Sequence, residues 1–245
     1  MSAQYDSIAA DYQQTKDTPL RRHVEAWSFA KMLGAVKGLR VLDLACGEGY
    51  YTRRIQQAGA NEVVGVDISA EMINLAEEQE HRDALGISYH CADATHLPEQ
   101  GKFDLVSAAY LLHYARNTDE LQSMCKQIAL QLKPGGRFVA INENPAQENF
   151  AGYSQYGFNK SIEDPRREGR AIQYSMLSGR QLIRFEAYYY SSSFYEAALT
   201  AAGFSDIEWV PLEVSPDGVD ELGEQYWAEY LSNPPVTGLT CRLRA

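Results

Sequence analysis

The sequence predicts an α/β fold in which a mostly parallel sheet of seven strands is flanked by helices. Short apolar runs alternate with amphipathic helical segments, a pattern typical of parallel sheets that are covered by helices. The alternation breaks once, after Asn144, and resumes near Phe194. The chain has 245 residues, of which 45% are hydrophobic, so we expect one elaborated domain over residues 1–245.

The first five strands are apolar runs that each precede a polar or glycine turn. We predict them at residues 40–44, 62–66, 87–91, 103–108 and 137–142. Between them, Ser69 can cap one helix, and Thr118 can cap another whose apolar residues recur every three or four positions. The segment LKPGGRF then ends the second of these helices and turns the chain into the fifth strand.

The break after Asn144 predicts an inserted β-hairpin. Its two strands are GRAIQYSML and RQLIRFEAYYYS, joined by a turn at Ser178 and Gly179. A helix at about 194–202 and strands at 207–212 and 239–243 then complete the sheet. The chain thus divides into an N-terminal segment, a ligand-binding core, the hairpin, and a C-terminal helix with the last strands, at residues 1–35, 36–144, 145–192 and 193–245.

Composition narrows the possible partners. Acidic residues outnumber basic ones by 33 to 22, which gives a formal net charge of -11, and this balance disfavours binding to nucleic acid. The four cysteines form no C-x-x-C pair, so we expect no metal site and no disulfide framework. No apolar run approaches the ~20 residues of a membrane helix, and the N-terminus does not resemble a signal peptide. We therefore expect a cytoplasmic protein with a small-molecule substrate and no membrane partner.

The stretch VLDLACGEGYYTRRI, which contains most of the first strand and the glycine turn after it, indicates a ligand site. In open parallel sheets, ligands bind beyond the carboxyl ends of the strands, and Gly47 and Gly49 let the backbone approach a ligand closely. A dinucleotide site would require a third glycine where Thr52 stands. The carboxylate of Asp43 suits a cationic ligand such as S-adenosylmethionine, which carries a sulfonium and an ammonium group.

Two further acids support an adenosine-containing ligand. Asp67 ends the second strand, about 20 residues after the glycine turn, where a carboxylate can accept hydrogen bonds from both ribose hydroxyls. Asp93 ends the third strand, and with Ala94 it lies where the adenine amino group could be recognised.

These motifs occur in the order D-x-A-C-G-x-G, GVDIS, CADA, FDLVSAAYLLHY and LKPGG, which resembles the class I S-adenosylmethionine-dependent methyltransferases. The resemblance covers most of the chain and implies a Rossmann-like sheet with S-adenosylmethionine as cofactor. The segments YDSIAADYQ, YGFN, YYYSSSFYEAALTAAGF and TGLTCRL are similar, more narrowly, to toxoflavin synthase-type methyltransferases. Those enzymes methylate nitrogens of an azapteridine, which implies a small nitrogen-heteroaromatic acceptor here.

The resemblance also implies a set of cofactor contacts. In the family, an N-terminal helical lid covers the cofactor, and aromatic rings on it can face the sulfonium through a cation–π contact. Arg21, Arg22 and His23 are candidates for binding the cofactor carboxylate. The expected cofactor contacts are Tyr5, Tyr12, Asp43, Ala45, Gly47, Gly49, Asp67, Ile68, Met72, Asp93, Ala94 and Ala109.

On the acceptor side, His113 follows the fourth strand and Glu143 ends the fifth, so each could act as a general base. A histidine at this position could equally be structural. Tyrosines of the hairpin could form aromatic walls for a flat acceptor, although strand packing would bury some of the same rings. The predicted substrate contacts are Tyr153, Tyr156, Tyr174, Tyr188 and Tyr190.

Three other functions fit part of the pattern. An oxygen or sulfur methyltransferase could use the same core, because acceptor identity depends on the irregular hairpin region. A catalytically silent protein that binds S-adenosylmethionine would need only the cofactor-binding core. A nicotinamide-dependent oxidoreductase is disfavoured by Thr52 and Asp43.

Overall fold

The fold is built on a seven-stranded sheet. The computed structural model describes residues 18–150, 152–178 and 181–245. Its strands are β1 (Arg40–Leu44), β2 (Glu62–Asp67), β3 (Ser88–Cys91), β4 (Phe103–Ala109), β5 (Leu132–Glu143), β6 (Phe158–Ile162), β7 (Arg170–Ser178), β8 (Gln181–Tyr189), β9 (Phe204–Val210) and β10 (Val236–Leu243). The main sheet has the order β3-β2-β1-β4-β5-β10-β9. Neighbouring strands among β1 to β5 are parallel, and β10 runs antiparallel to both β5 and β9. The predicted α/β class and the mostly parallel, seven-stranded sheet are therefore confirmed.

Helices cover both faces of this sheet. They are α1 (Ala26–Leu33), α2 (Tyr50–Gln57), α3 (Ala70–Arg82), α4 (Thr118–Gln131), α5 (Ser192–Ala201), α6 (Pro216–Leu222) and α7 (Glu224–Ser232), and a π-helical turn, Arg21–Glu25, leads into α1. Helices α6 and α7 were not predicted, because they are short and their sequences are polar. Within the described ranges, no helix is both long and apolar enough to cross a bilayer.

Each face of the sheet has its own apolar core. Phe138 and Val139 are neighbours in β5, so their side chains leave the strand on opposite faces. Phe138 packs in a cluster with Ile128 of α4, whereas Val139 packs in another with Phe29 of α1 and Ile55 of α2. The sheet is thus buried between two helical layers, and its strand ends are left to form the site.

Two local predictions concern helix caps. The Ser69 hydroxyl accepts a hydrogen bond from the backbone N–H of Met72 at 3.2 Å, so Ser69 caps α3 as predicted. The predicted cap of α4 was wrong by one residue. Asn117 caps that helix by accepting from the backbone N–H of Glu120 at 3.0 Å, and Thr118 is already helical.

Several strand limits also differ from prediction. Strand β5 begins at Leu132, because that residue already pairs with Phe103 before Pro134. The ladder then changes register, and it resumes with the pair of Leu105 and Arg137. The LKPGG segment is therefore an irregular entry into β5 and not a loop that precedes it.

The insertion is more than the predicted hairpin. Strands β7 and β8 pair as an antiparallel hairpin, but β6 pairs with β7 to make a separate three-stranded sheet. Strand β6, with the sequence FNKSI, was missed because it is short and has a charged residue, Lys160, at its centre. That lysine is buried, since the small sheet packs it against the end of β5.

Candidate active site

A cavity of about 260 Å³ lies at the carboxyl ends of β1, β2, β3 and β4. This is where open parallel sheets bind ligands. Much of the predicted cofactor site lines it, namely Ala45, Gly47, Asp67, Ile68, Met72, Asp93, Ala94 and Ala109. Tyr5 and Tyr12 lie outside the described residues, as does the part of the predicted N-terminal lid before residue 18.

The glycine turn connects β1 to α2 and shapes one side of the cavity. Gly47 has a φ of 56° and Gly49 a φ of 83°, the left-handed conformation that glycine adopts most readily. Gly49 is the N-cap of α2 and faces away from the cavity, since a Cβ at this position would overlap the Tyr89 hydroxyl. Gly49 is thus not among the described lining residues, and it supports the turn from behind.

The two acids predicted for an adenosine ligand lie in the same cavity. Asp67 accepts hydrogen bonds from the backbone N–H of Gly47 at 2.8 Å and of Ser69 at 2.9 Å. Asp93 accepts from the backbone N–H and the hydroxyl of Thr95, at 2.8 and 2.7 Å. Both carboxylates are thus held in fixed orientations at the ends of adjacent strands.

Asp43 has a different role from the one predicted. It is 1% exposed and is not among the described residues that line the cavity. One carboxylate oxygen accepts from the hydroxyl of Thr52 at 2.6 Å and the other from the hydroxyl of Ser107 at 2.7 Å. Burial raises the pKa of Asp43 to about 6, and the two hydroxyls partly oppose that shift. The residue thus joins β1, α2 and β4 beneath the cavity, through its bonds to Thr52 and Ser107.

Two non-glycine residues in the cavity wall have left-handed backbones. Ala45 follows β1 with a φ of 53°, and Tyr110 follows β4 with a φ of 70°. Such conformations are unfavourable for residues with a side chain, and they persist where the surrounding structure holds them. The Tyr110 N–H donates to the carbonyl of Ile141 at 2.9 Å. Sequence reasoning missed Tyr110, although its position directly after Ala109 at the strand end was a usable signal.

The segment before α1 contributes a charged wall. Arg21 lines the cavity, and its Nε lies 3.5 Å from Oε2 of the buried Glu25. The phenols of Tyr51 and Tyr110 also line the cavity, and the Tyr51 hydroxyl donates to the Glu25 carboxylate at 3.5 Å. Burial, and after it the charge of Glu25, raises the pKa of Tyr110. Of the other candidates for a cofactor carboxylate, Arg22 and His23 pair instead with Glu221 of α6.

His113 lies behind the cavity wall. It is 2% exposed and is not among the described lining residues, whereas its neighbour Tyr114 is. Its Nδ1 is 2.8 Å from Oδ1 of Asn142, and its ring packs against the rings of Tyr110 and Tyr114 at centroid distances of 5.7 and 4.6 Å. Burial lowers the pKa of His113, against the raising effect of Glu143. The predicted base therefore does not face the cavity and supports two tyrosines that do.

Glu143 is also not a cavity residue. It is buried, it forms an ion pair with Lys160 at 2.7 Å, and it accepts a hydrogen bond from the Tyr174 hydroxyl. Lys160 also donates to the carbonyl of Pro235 at 3.0 Å. These contacts connect β5 to the small sheet, so the predicted base or orienting role of Glu143 is replaced by a structural one.

Among the predicted substrate tyrosines, Tyr188 on β8 lines the cavity. The others are buried outside its described lining, because their hydroxyls bond to backbone or buried groups. Tyr153 donates to Asn233, Tyr156 to the carbonyl of Tyr226, and Tyr190 to the carbonyl of Ala115. Tyr174 is held by Glu143 as above. Strand and loop packing therefore accounts for the rest of this tyrosine group.

The cavity also has residues that the sequence patterns did not indicate. Arg116 and Glu120 line it near Asp93 and form an ion pair at 2.6 Å, with Met124 of α4 beside them. Arg116 lies just before the cap of α4, and Glu120 lies in the first turn of this helix, which the sequence indicated only as amphipathic. All four cysteines lie in the described part of the chain and remain thiols, and no group of three His, Cys, Asp or Glu side chains there could hold a metal ion.

Comparison with known proteins agrees with this geometry. Residues 41–136 match the family model of a methyltransferase domain. The chain is 33% identical over 143 residues to demethylmenaquinone methyltransferase of Lactococcus lactis subsp. lactis (strain IL1403), which covers 56% of each chain. It is 32% identical over 122 residues to a ubiquinone biosynthesis O-methyltransferase of Bradyrhizobium sp. (strain ORS 278), covering 50% of this chain and 47% of that one. The chain thus spans about half the length of these curated relatives.

A solved structure extends the likeness to the whole fold. An S-adenosylmethionine-dependent methyltransferase from Mesorhizobium loti superposes with a TM-score of 0.65 and 23% identity, covering 93% of this chain and 99% of that one. At 23% identity the likeness to this structure shows the fold alone. Residues 41–136, which match the family model, contain the glycine turn, Asp67 and Asp93. Over residues 41–136 the chain is therefore similar to methyltransferase domains, and its fold is that of a solved S-adenosylmethionine-dependent methyltransferase.

Proposed function

We propose that this protein transfers the methyl group of S-adenosylmethionine to a small molecule. The observation that carries the proposal is that Asp67 and Asp93, each fixed by backbone N–H donors, face one cavity beside the left-handed turn at Ala45 and Gly47. The acid at the end of β2 fits a ribose, and the acid at the end of β3 fits the adenine that is joined to it. The cavity volume of about 260 Å³ suits an elongated small ligand.

The residues present fit each part of this cofactor. Asp67 would accept hydrogen bonds from the ribose hydroxyls, and Asp93 with Ala94 would bind the adenine edge, between the apolar side chains of Ile68 and Met72. At the other side of the cavity, the guanidinium of Arg21 would bind the carboxylate of the methionine portion. The buried charge of Asp43, beneath the turn, favours a cationic ligand above it.

When bound, the cofactor supplies a methyl group that is already activated by its positive sulfur. The main contributions of the chain are therefore alignment and exclusion of water. Tyr110, Leu111 and Tyr114 follow β4 and line the cavity next to Ala109, so they would form the wall that orients the acceptor. Tyr188 would add an aromatic contact from the small sheet.

We infer that the acceptor is a flat aromatic metabolite, with a nitrogen heterocycle of the azapteridine type as first candidate. The lining phenols and the aliphatic side chains between them support a flat ring, since they offer broad apolar faces with a few hydroxyls. The narrower sequence resemblance supports nitrogen as the methylated atom.

A second candidate is an aromatic hydroxyl on a quinone-type ring. The name of one curated relative, a ubiquinone biosynthesis O-methyltransferase, supports an oxygen acceptor, and the name of the other, demethylmenaquinone methyltransferase, supports only the quinone-type ring. The same cavity wall would serve either acceptor. The two candidates differ in the atom that is methylated, which makes them separable by product analysis.

The experiment is transfer of labelled methyl from S-adenosylmethionine to a panel of azapteridines, other nitrogen heterocycles, catechols, hydroquinones and thiols. Binding of S-adenosylhomocysteine is measured by calorimetry in parallel, with the Asp67→Asn variant as the inactive control. Labelled nitrogen heterocycles alone would support the first candidate, and labelled phenols the second. Firm binding with no labelled product across the panel would contradict methyl transfer to these classes and favour a silent cofactor-binding protein.

A further inference from the structure

The cavity wall beside the π-helical turn Arg21–Glu25 contains phenols that make none of the proposed cofactor contacts, and a buried acid lies behind them. Glu25 is 5% exposed and lies behind this wall. Its carboxylate accepts from the Tyr51 hydroxyl at 3.5 Å, with the Arg21 guanidinium beside it. Tyr51 and Tyr110 line the cavity, and the charge of Glu25 acts on the Tyr110 phenol, since it adds to the effect of burial in raising the pKa of Tyr110. A buried carboxylate therefore lies behind two phenols that face the cavity.

Two irregular pieces of backbone bring these groups together. Glu25 ends the π-helical turn Arg21–Glu25, a widened helical geometry that is rare and is frequently found at functional sites. Tyr110 has a φ of 70°, and its N–H is fixed to the carbonyl of Ile141. These distortions occur in separate elements, yet they bring the Glu25 carboxylate within electrostatic range of the Tyr110 phenol. Strained backbone that holds a polar group at a cavity wall is a feature of active sites.

Tyr110 also has the position that the acceptor requires. It follows Ala109 at the carboxyl end of β4, the strand next to β1, and both strand ends face the cavity. With the ribose at Asp67 and the adenine at Asp93, the reacting group of the cofactor would lie at the ends of β1 and β4. The two residues predicted as bases, His113 and Glu143, are not among the described lining residues.

We propose that Tyr110 contacts the heteroatom of the acceptor and that Glu25 receives the acceptor's proton through Tyr110. This inference rests on the function proposed above. It names the acceptor class more closely: the atom that is methylated carries a hydrogen, as in a ring N–H or an aromatic O–H. An acceptor of this kind must lose that proton when it gains the methyl group.

The step balances as follows. The acceptor heteroatom forms a bond to the methyl carbon with its lone pair, and the electron pair of the carbon–sulfur bond stays on sulfur. The acceptor's proton moves to the oxygen of Tyr110 while the Tyr110 hydroxyl proton moves to Glu25. Glu25 becomes a neutral acid and later releases the proton to water. Because burial raises the pKa of Tyr110 well above its usual value, the phenol stays protonated and can take the acceptor's proton only as it gives its own to Glu25.

A pair of cofactor analogues tests this geometry without the acceptor. Sinefungin carries an amine-bearing carbon where the cofactor has its methylsulfonium, so its ammonium lies where the transferred methyl would be. S-adenosylhomocysteine has nothing at that position. The ratio of their affinities, measured by calorimetry, therefore reports the groups that face the acceptor position, because contacts to the shared adenosine and amino-acid parts cancel.

In the Glu25→Gln variant we expect the affinity for sinefungin, divided by that for S-adenosylhomocysteine, to fall about tenfold. A tenfold loss is the size of one lost charge-assisted hydrogen bond. Tyr110→Phe should lower this ratio in the same direction. Tyr195→Phe, which removes a phenol hydroxyl that is buried outside the described lining of the cavity, is the matched control, and its ratio should stay within about twofold of the wild type. Thermal unfolding of each variant checks that it is folded. One folded variant of the two, Glu25→Gln or Tyr110→Phe, is enough to test the inference.

The outcomes separate the two proposals. A lower ratio in the folded test variants supports the contact of Tyr110 and Glu25 with the acceptor position. An unchanged ratio, with S-adenosylhomocysteine still bound, overturns this inference and leaves the proposed function in place. Failure of the wild type to bind S-adenosylhomocysteine overturns the proposed function, and this inference with it.

Discussion

The backbone N–H of Gly47 donates a hydrogen bond to Oδ2 of Asp67 over 2.8 Å. This bond joins the glycine turn after β1 to the acid at the end of β2, two features that lie 20 residues apart in the sequence. A second bond, from the Ser69 N–H to Oδ1, fixes the other carboxylate oxygen at 2.9 Å. The turn and the acid are therefore one structural unit, and a change in either should affect the other.

The first prediction concerns this unit. Asp67→Asn should weaken S-adenosylhomocysteine binding by about tenfold or more, because an amide has one acceptor oxygen and its NH₂ group would face a donor. Glu62→Gln is the matched control, since Glu62 begins the same strand and forms a partly exposed ion pair with Arg40 at 2.7 Å. Calorimetry should give wild-type affinity for the control. Unchanged affinity in Asp67→Asn would contradict the assignment of the ribose site.

The second prediction separates backbone strain from steric overlap at two left-handed glycines. Gly86 has a φ of 81°, and no atom lies within 4 Å of the position that a Cβ would take, so Gly86→Ala should cost about 1 kcal/mol of unfolding free energy. Gly49→Ala adds overlap with the Tyr89 hydroxyl and the Arg53 guanidinium, and should cost clearly more, about 2 to 4 kcal/mol. Urea unfolding measures both. Equal costs would show that the turn adjusts easily.

The two glycine variants also differ in their expected effect on binding. Gly49 caps α2 directly after the turn that contacts the cavity, whereas Gly86 lies in the loop before β3. S-adenosylhomocysteine affinity should therefore fall in Gly49→Ala and stay near the wild-type value in Gly86→Ala. Loss of affinity in both variants would indicate a general loss of structure.

How far the sequence could predict this site depends on the range of the contacts involved. Asp67, Asp93 and the glycine turn follow strands directly, and the ends of parallel strands meet at one edge, so local pattern was sufficient. Asp43 stands at a similar position, but its side chain enters the core beside Thr52 and Ser107. In a strand that is buried on both faces, the sequence pattern does not show whether a side chain points into the core or toward the ligand site at the strand end.

The acceptor wall was harder to predict, because it depends on backbone conformation and on distant pairs. The left-handed φ of Tyr110 and the π-helical turn before α1 have no clear sequence signature. Tyrosines such as Tyr153 and Tyr174 were expected in a pocket, but their hydroxyls bond to buried partners 80 and 31 residues away. A tyrosine-rich sequence does not show which rings face a cavity and which pack in a core.

The third prediction is a pH dependence of stability from Asp43. Its pKa in the folded chain, about 6, lies above the usual value near 3.9 of an unfolded chain. Its contribution to unfolding free energy is therefore greatest below pH ~4 and is lost as the pH rises through about 6, by roughly 3 kcal/mol. Urea unfolding of wild type and Asp43→Asn across this range isolates the effect, since the variant lacks the titrating group. A constant difference between the two proteins would contradict the raised pKa.

The fourth prediction distinguishes a structural His113 from a base. His113→Ala removes a buried ring that supports Tyr110 and Tyr114, so it should cost about 2 to 4 kcal/mol of unfolding free energy and lower turnover indirectly. The activity that remains should keep the wild-type pH profile between about pH 5.5 and 8.5, because no titrating group has left the cavity. The profile is measured with an acceptor from the labelled panel. Loss of its acidic limb would restore His113 as the general base.

The fifth prediction concerns the ion pair that holds the small sheet. The Lys160 side chain is fully buried against Glu143 at 2.7 Å, so Lys160→Met would leave an uncompensated carboxylate in the core and should cost about 3 to 5 kcal/mol. Adding Glu143→Gln removes that charge, and the double variant should therefore be more stable than Lys160→Met alone. Lys31→Met is the matched control, since Lys31 pairs with Glu213 at the surface and should contribute less than about 1 kcal/mol. Chemical unfolding of the wild type, Lys160→Met, the double variant and Lys31→Met measures these differences in unfolding free energy. If Lys160→Met and Lys31→Met cost the same, the contact of the small sheet with β5 does not depend on this pair.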